Sequence, residues 1–272
     1  MKNILFFLSF STMMLVSACS RNAITGRTQL SLVSDDAVRS QAVTEYKSFL
    51  SQNKVVSAGQ SKDAEMVHRV GSRIASAITK YYTQKGLGKE LEGYQWEYNL
   101  VQSDQVNAWC MPGGKIVVYT GLLPITQNEA ALAVVLGHEI SHAVAKHGNE
   151  RMSEGLVQQF GGAALSVALA NKPAETRNLF LQAYGVGSTV GVSLPHSRNQ
   201  EYEADKLGLI YAALAGYNPK EAIPLWQRMQ ALSNGQKPPE FLSDHPSEGN
   251  RIERLQQQMP EALKYYQPMG SK

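Results

Sequence analysis

The 272-residue sequence is poor in cysteine, lacks a dense basic run and has no apolar segment long enough to span a membrane. Its two cysteines, Cys19 and Cys110, cannot supply a disulfide framework, and they argue against a cysteine-rich structural zinc site. The N-terminal apolar stretch at residues 4–16 is shorter than the ~20 residues of a membrane-spanning helix. The basic residues are scattered and the net charge is only +3, so nothing indicates nucleic-acid binding.

What the sequence does contain is typical of a globular protein. Its hydrophobic fraction is 43% and its charged fraction is 18%, and 272 residues are enough for one domain with a substantial core. Alternating or apolar runs predict strands at residues 94–101 and 115–120. The helices predicted from apolar periodicity cover residues 36–50, 64–80, 129–147, 198–216, 219–232 and 248–259. Together these elements predict a mainly α fold with a small β-sheet, an α+β domain that occupies residues 36–272.

The N-terminus has the order of a secretory signal: Lys2, the apolar stretch at residues 4–16, and then the small residues of LVSAC. We therefore predict a signal peptide at residues 1–18 and an N-terminal arm at residues 19–35. The VSAC sequence is similar to a lipobox, in which Cys19 becomes the lipidated first residue of a mature bacterial lipoprotein. A plain signal peptide with an incidental cysteine is the alternative. In Gram-negative lipoproteins, a serine after that cysteine usually accompanies the outer membrane, which predicts an outer-membrane location facing the periplasm.

The segment VLGHEISHAVAKH at residues 135–147 contains an HExxH motif on a predicted helix. Residues four apart lie on the same helical face, so His138 and His142 can both bind one metal ion. Glu139 is rotated by ~100° from His138, which places it beside the water that the metal activates. Glu139 is then the general base that accepts a proton from this water and passes it to the leaving amine. Gly137 allows another chain segment to approach this helix closely.

A catalytic zinc ion takes three protein ligands, so a third must come from elsewhere in the chain. A histidine six residues after His142, as in metzincins, is excluded because that position holds Gly148. His147 is instead expected at the C-terminal end of the motif helix, where the helix dipole favours a histidine.

Two carboxylates in the segment SRNQEYEADKLG are better candidates. Glu201 and Asp205 are four residues apart on a second predicted helix. One can bind the metal while the other accepts the N–H of a ligand histidine and fixes its tautomer, but the spacing does not decide which. The alternative is that Glu201, Glu203 and Asp205 form a solvated acidic face. The HExxH motif in the same chain favours the metal site.

Five segments of the sequence follow one another in an order that is typical of a known protein family. They are NAITGRTQLSLVS, NAWCMPGGKIVVYTGLL, VLGHEISHAVAKHGNERM, SRNQEYEADKLG and HPSEGNRIERL. In this order they resemble peptidase family M48, in particular its bacterial lipoprotein and envelope branch, which is related to the mitochondrial inner-membrane protease of the same clan. The resemblance covers nearly the whole mature chain. It implies a zincin-like gluzincin metallopeptidase domain with the HExxH helix at its active site.

The resemblance also implies roles that the spacing leaves open. Glu201 is then the third zinc ligand, and Asp205 orients a ligand histidine. In some relatives, the histidine of the late His-Pro segment sits over the metal, either as a fourth ligand or as a contact of the oxyanion. His245 matches that position. Its alternative role is packing at the start of the following helix, next to Pro246.

The segment from Asn107 to Leu122 resembles the edge strand that borders the cleft in this family. An extended peptide can add to such a strand through main-chain hydrogen bonds, which tolerates many peptide sequences. Asn107 and Ala108 are the expected contacts on this strand. Gly113 and Gly114 are expected to let the peptide backbone come close.

The function that the resemblance implies is a zinc-dependent endopeptidase with one Zn²⁺ per chain, held at the bacterial cell envelope by its N-terminal lipid. The expected substrates are unfolded or misassembled envelope polypeptides, and nucleic acid is not an expected partner. A second hypothesis is a largely latent zinc protein, closed by His245, that acts as a chaperone or assembly factor for outer-membrane proteins.

Overall fold

The computed structural model describes residues 19–160, 173–186, 197–232, 240–245 and 249–269. The predicted signal peptide at residues 1–18 therefore lies outside the described residues. Within the described ranges, none of the helices combines the length and the hydrophobicity that crossing a bilayer requires.

Helices dominate the described part of the chain. They are α1 (Asp35–Gln52), α2 (Lys62–Gln84), α3 (Leu123–Thr126), α4 (Glu129–Val144), α5 (His147–Phe160), α6 (Pro173–Ala183), α7 (Arg198–Leu214), α8 (Ala222–Leu232), α9 (Glu240–Asp244) and α10 (Arg251–Leu263). The strands are short and comprise β1 (Cys19–Arg21), β2 (Thr28–Leu30), β3 (Val55–Val56), β4 (Glu97–Val101), β5 (Ala108–Met111) and β6 (Lys115–Tyr119). The predicted class, mainly α with a small β-sheet, is confirmed.

The larger sheet places β5 at an edge. Its strand order is β3-β4-β6-β5, while β1 and β2 form a separate hairpin. β5 and β6 are antiparallel and pair Trp109 with Val117, whereas β4 and β6 are parallel and pair Asn99 with Val117. The turn between β5 and β6 contains Gly113 and Gly114, whose φ angles are 80° and 82°. These left-handed conformations favour glycine and make the tight hairpin possible.

Alternating side chains of β6 serve two cores, one on each face of the sheet. Ile116 and Val118 pack with the apolar faces of α2, α4 and α7 in the larger core. Val117 and Tyr119 point the other way and pack with Trp109, α1, α5 and α6. Because helices cover both faces of the sheet, β6 is buried along its whole length.

The helix that carries the HExxH motif is almost completely buried. Asn128 caps its N-terminus, where the side-chain oxygen accepts a hydrogen bond from the backbone N–H of Ala131 at 2.8 Å. Every residue from Ala131 to Val144 is buried. The polar side chains of this helix must therefore find their partners inside the protein.

The motif helix is shorter than the sequence predicts. It ends at Val144, and Lys146 takes a left-handed conformation with φ of 59°. Lys146 forms ion pairs with Asp35 and Glu90 at 2.8 and 3.1 Å, which help to hold this uncommon conformation. His147 therefore begins the next helix, and the expectation that it lies at the C-terminal end of α4 is wrong. The helix break has no glycine at this point to mark it in the sequence.

Helices α4 and α7 cross with their backbones in contact. A Cβ atom added to Gly137 would lie 2.7 Å from the carbonyl oxygen of Gly208, and one added to Gly208 would lie 2.8 Å from the backbone nitrogen of His138. Both distances are too short for a non-bonded carbon, so glycine is required on both sides. The prediction that Gly137 allows a close approach is confirmed, and Gly208 is the residue that approaches it.

Substituting Gly208 with alanine should destabilise the fold. The new methyl group would press on the backbone of α4, and overpacking of this kind costs about 1–3 kcal/mol. We expect Gly208→Ala to lower the free energy of unfolding in urea by that amount. Gly59→Ala is the control, because its added Cβ has no atom within 4 Å. Alanine normally stabilises a helix relative to glycine, so unchanged or higher stability of Gly208→Ala would contradict the close contact.

Candidate metal centre

Three histidines and one glutamate bring their ligand atoms together inside the protein. His138 and His142 belong to α4, Glu201 belongs to the first turn of α7, and His245 directly follows α9. One ligand atom from each residue lies within 4.8 Å of the other three, and all four residues are buried. The structure thus joins the three predicted zinc ligands with His245.

The separations between these atoms suit a small cation. His138 Nε2 lies 3.0 Å from His142 Nε2 and 3.2 Å from His245 Nδ1. The carboxylate oxygens of Glu201 lie 3.3 Å from His142 Nε2, 3.4 Å from His138 Nε2 and 3.0 Å from His245 Nδ1. Ligands that surround zinc tetrahedrally at ~2.0–2.1 Å are ~3.3 Å apart. Imidazole and carboxylate are also ligand types that zinc accepts, so these residues fit this metal.

Glu201 reaches the centre because of where α7 begins and how it crosses α4. Ser197 and Gln200 form a capping box, in which the Ser197 hydroxyl accepts from the N–H of Gln200 and the Gln200 side chain accepts from the N–H of Ser197. The cap places Glu201 in the first helical turn, where the helix dipole favours a negative charge. The contact between Gly137 and Gly208 brings the two helices close enough for the carboxylate to meet the imidazoles.

Asp205 and Arg251 contact the outer nitrogen of His138. Asp205 Oδ1 lies 3.0 Å from His138 Nδ1, so it can accept the Nδ1–H and leave Nε2 for a metal. Arg251 donates to Asp205 Oδ1 at 2.6 Å and lies 3.3 Å from a carboxylate oxygen of Glu201. Its guanidinium also lies 3.5 Å from the centre of the Trp226 ring. Sequence reasoning missed Arg251, because an arginine on a C-terminal helix carries no local sign of these contacts.

The charges of the centre set the protonation of its side chains. Burial alone would lower the pKa of His138, but the carboxylates of Glu201 and Asp205 raise it to about 9. Burial lowers the pKa of His142 well below its usual range. Burial opposes ionisation of Glu201 and Asp205, yet neighbouring positive groups hold the pKa of each below its usual range. Both acids are therefore ionised at neutral pH, as metal binding requires.

Glu139 lies beside the four ligand residues. It is 3% exposed, and its Oε1 atom lies 3.5 Å from His245 Nε2 and accepts no hydrogen bond from the described residues. Burial raises the pKa of its carboxyl group. Glu139, His142 and His245 line one pocket together with Arg151 and Tyr184. The expected general base thus faces a pocket that opens onto the ligand cluster.

The expected edge strand borders the same pocket. Asn107 and Ala108 line the pocket, and Ala108 is the first residue of β5, which pairs only with β6 in the described sheet. Gly113 and Gly114 lie in the turn at the other end of β5, and a Cβ on Gly114 would lie 2.5 Å from the Trp96 ring. The turn and this contact require glycine, whatever binds to the strand.

His147 and Glu203 are two further residues that sequence reasoning did not connect with the centre. His147 is fully buried, with its Nδ1 atom 2.9 Å from His142 Nδ1 and its Nε2 atom 2.9 Å from Glu203 Oε2. The Glu203 side chain is only 17% exposed, so the solvated acidic face considered for this segment does not describe it. The sequence gives no sign of these contacts, because they depend on the helix break at Lys146.

The profile of Peptidase family M48 matches residues 61–259, which include all four residues that could hold a metal ion. The mitochondrial metalloendopeptidase OMA1 of Arabidopsis thaliana is 38% identical over 178 residues, which are 65% of this chain and 34% of that protein. The mitochondrial metalloendopeptidase OMA1 of Homo sapiens is 32% identical over 249 residues, 89% of this chain and 46% of that protein.

A bacterial relative is also similar. The beta-barrel assembly-enhancing protease of Escherichia coli (strain K12) is 28% identical over 162 residues, 58% of this chain and 33% of that protein. The chain therefore spans about half or less of the length of these curated relatives.

Replacing Glu201 with glutamine should reduce the metal content. The substitution keeps the shape of the side chain but removes the negative charge that a divalent cation needs. We expect about one zinc per unmodified chain and clearly less than one in Glu201→Gln, measured by inductively coupled plasma mass spectrometry. Glu92→Gln is the control, since Glu92 is exposed. Equal zinc content in the two variants would show that Glu201 is not a ligand.

Proposed function

This chain belongs to peptidase family M48, and from that premise we propose that it is a zinc-dependent endopeptidase. The observation that carries the proposal is the buried cluster of His138, His142 and Glu201, with Glu139 facing the adjoining pocket. The names of the OMA1 relatives, which are metalloendopeptidases, support the same reaction class.

In the proposed mechanism, His138, His142 and Glu201 hold one zinc ion. When bound, zinc supplies Lewis acidity toward the peptide carbonyl and toward water. Glu139 accepts the proton of the attacking water and passes it to the leaving amine. Its burial raises its pKa, which makes the carboxylate a better proton acceptor than an exposed glutamate. Asp205 holds His138 in the tautomer that presents Nε2 to the metal.

The substrate in this proposal is an extended polypeptide that pairs with β5. The outer edge of β5 carries no strand in the described sheet, and its first residue lines the pocket beside Glu139. Main-chain pairing gives affinity without demanding a particular sequence. Asn107 and Ala108 are the contacts closest to the start of this strand. Unfolded chains, whose backbone is free to pair, are the class of substrate that such an edge accepts.

The location that we propose is the bacterial cell envelope. The similar Escherichia coli protein is named a beta-barrel assembly-enhancing protease, and this name supports envelope polypeptides as substrates. Cys19, the proposed site of lipidation, is exposed at the start of β1. A lipid on Cys19 would hold the protein at the outer membrane with its pocket in the periplasm.

A second candidate function is favoured by the position of His245. Its Nδ1 atom lies within 3.2 Å of both the His138 and the Glu201 ligand atoms, where a fourth ligand would lie. Structural zinc sites have four closed ligands, whereas catalytic sites keep one position open. A zinc ion closed by His245 would make the protein latent, with a role as a chaperone or assembly factor for outer-membrane proteins.

Glu139→Gln should abolish peptide hydrolysis while zinc remains bound. Glutamine keeps the shape of the side chain but cannot take up a proton, and loss of general-base catalysis costs about 10²–10⁴-fold in rate. The measurement is cleavage of a quenched fluorescent peptide and of casein, with zinc content determined on the same samples. Glu65→Gln, at an exposed position of α2, is the control. Persistent hydrolysis by a pure Glu139→Gln preparation would overturn the mechanism.

His245→Ala separates the two candidate functions. If His245 closes the metal, its removal should leave zinc bound to three residues and increase peptide hydrolysis, because a position opens for water. The latent function predicts this increase, measured with the same peptide at equal zinc content, whereas the endopeptidase function predicts that it does not occur. A fall in the rate with zinc retained would instead indicate that His245 contacts the oxyanion.

A further inference from the structure

A buried network of hydrogen-bonded side chains leads away from the metal centre on the side of α5. His147 is fully buried and stands between His142 and Glu203, with both contacts at 2.9 Å. His142 uses its Nε2 atom toward the ligand cluster, so the contact with His147 is made by the opposite nitrogen, Nδ1.

One assignment of protons gives a partner to each ring nitrogen of His142 and His147. With Nε2 of His142 turned toward a metal, its Nδ1 carries the hydrogen and donates to Nδ1 of His147. His147 then carries its own hydrogen on Nε2 and donates it to the carboxylate of Glu203. Each ring is thereby fixed in one tautomer and one orientation, which is what the outer partners of metal-binding histidines do.

The turn after α4 brings His147 into contact with His142. On a continuous helix, His147 would lie about 140° around the axis from His142 and would point elsewhere. The left-handed conformation of Lys146 ends α4 and turns the chain, so that His147 at the start of α5 comes back onto the imidazole of His142.

The N-terminal hairpin, residues 19–30, holds Glu203 at the outer end of this network. Arg27 lies in this hairpin and donates from Nε to both oxygens of Glu203 at 3.0 and 3.1 Å. The same guanidinium donates to both oxygens of Glu150 on α5 at 2.5 and 2.6 Å. One arginine therefore fixes Glu203 on α7 relative to α5, the helix that carries His147.

Two more side chains of the hairpin bind the end of the metal helix. Asn22 and Gln29 both donate to the backbone carbonyl of Ala145, at 2.9 and 2.8 Å. The last carbonyls of a helix lack partners within the helix, so these donors cap α4 immediately before the turn at Lys146. The hairpin thus contacts the end of α4 just before the turn at Lys146 and, through Glu203, also holds His147.

We propose that His147 is a positioning residue for the metal ligand His142, and that docking of the N-terminal hairpin, through Arg27 and Glu203, holds His147 in place and strengthens metal binding. This inference rests on the proposed function insofar as it assumes that zinc binds to His142. It follows that displacement of the hairpin, which begins at the proposed lipidation site, would loosen the metal.

The test is the zinc affinity of variants of the full chain, measured by competition with a chromophoric chelator. Loss of an outer partner of a zinc ligand typically weakens binding by about 10–100-fold, and we expect this loss for His147→Leu. His147→Gln, which can still accept from His142, should recover part of it. Arg27→Ala should weaken binding by about tenfold and Arg27→Lys by less, because lysine keeps the positive charge but cannot form the paired hydrogen bonds of a guanidinium group. Arg21→Ala, at an exposed position of the same hairpin, is the matched control.

Two further readouts separate positioning from general loss of structure. The free energy of unfolding of each metal-free variant reports on the fold, and the visible spectrum of the cobalt-substituted protein reports on the ligand geometry. A changed cobalt spectrum in Arg27→Ala, with stability equal to that of Arg21→Ala, would support the proposal. If His147→Leu does not fold, Arg27→Ala and Glu203→Gln decide the question.

The outcomes for the two proposals differ. Zinc affinity and cobalt spectra identical in Arg27→Ala, Glu203→Gln and Arg21→Ala would overturn the role of the hairpin while leaving the peptidase proposal intact. An unmodified chain that binds no zinc would overturn the peptidase proposal itself.

Discussion

The backbone contact between Gly137 and Gly208 is the constraint on which the rest of the structure depends. It lets α4 and α7 approach until no side chain separates them. Gly137 directly precedes His138, and Gly208 lies three residues after Asp205, so the helices approach most closely beside the contact between His138 and Asp205. A short carboxylate side chain can then reach two imidazoles on the neighbouring helix. A methyl group on either glycine would force the two helices apart, because it would lie only 2.7 or 2.8 Å from a backbone atom of the other helix.

The second requirement is the balance of buried charge. Glu139, Glu201 and Asp205 are all buried, and burying an ion without a partner costs several kcal/mol. Arg251 compensates part of this charge from α10, and the histidines or a cation supply the rest. The centre is therefore supported from α10 through Arg251 and from α5 through His147, in addition to the two helices that provide most of the ligands.

The family profile covers most of the residues that contact the centre, but not the N-terminal hairpin. The family match covers residues 61–259 and so includes the ligand residues, His147, Glu203 and Arg251. The N-terminal hairpin, with Arg27, lies before the matched region. The segment NAITGRTQLSLVS, which includes Arg27, is nevertheless one of the five segments that resemble the family, and the structure adds the contact of this segment with the end of α4.

The residues of single helices were enough to predict the mainly α class, the HExxH helix and a carboxylate ligand at Glu201 or Asp205, because helical periodicity involves only residues that are close in the chain. The sequence could not choose between the two carboxylates by spacing, and the resemblance to relatives supplied that choice. It missed Arg251 and misplaced His147. Contacts of these two residues depend on how separate helices cross and on a left-handed turn at Lys146, a residue type that normally signals no break. The residues of a helix determine its own periodicity. The crossing of two helices arises only when the chain folds, and so does the turn that places His147 against His142.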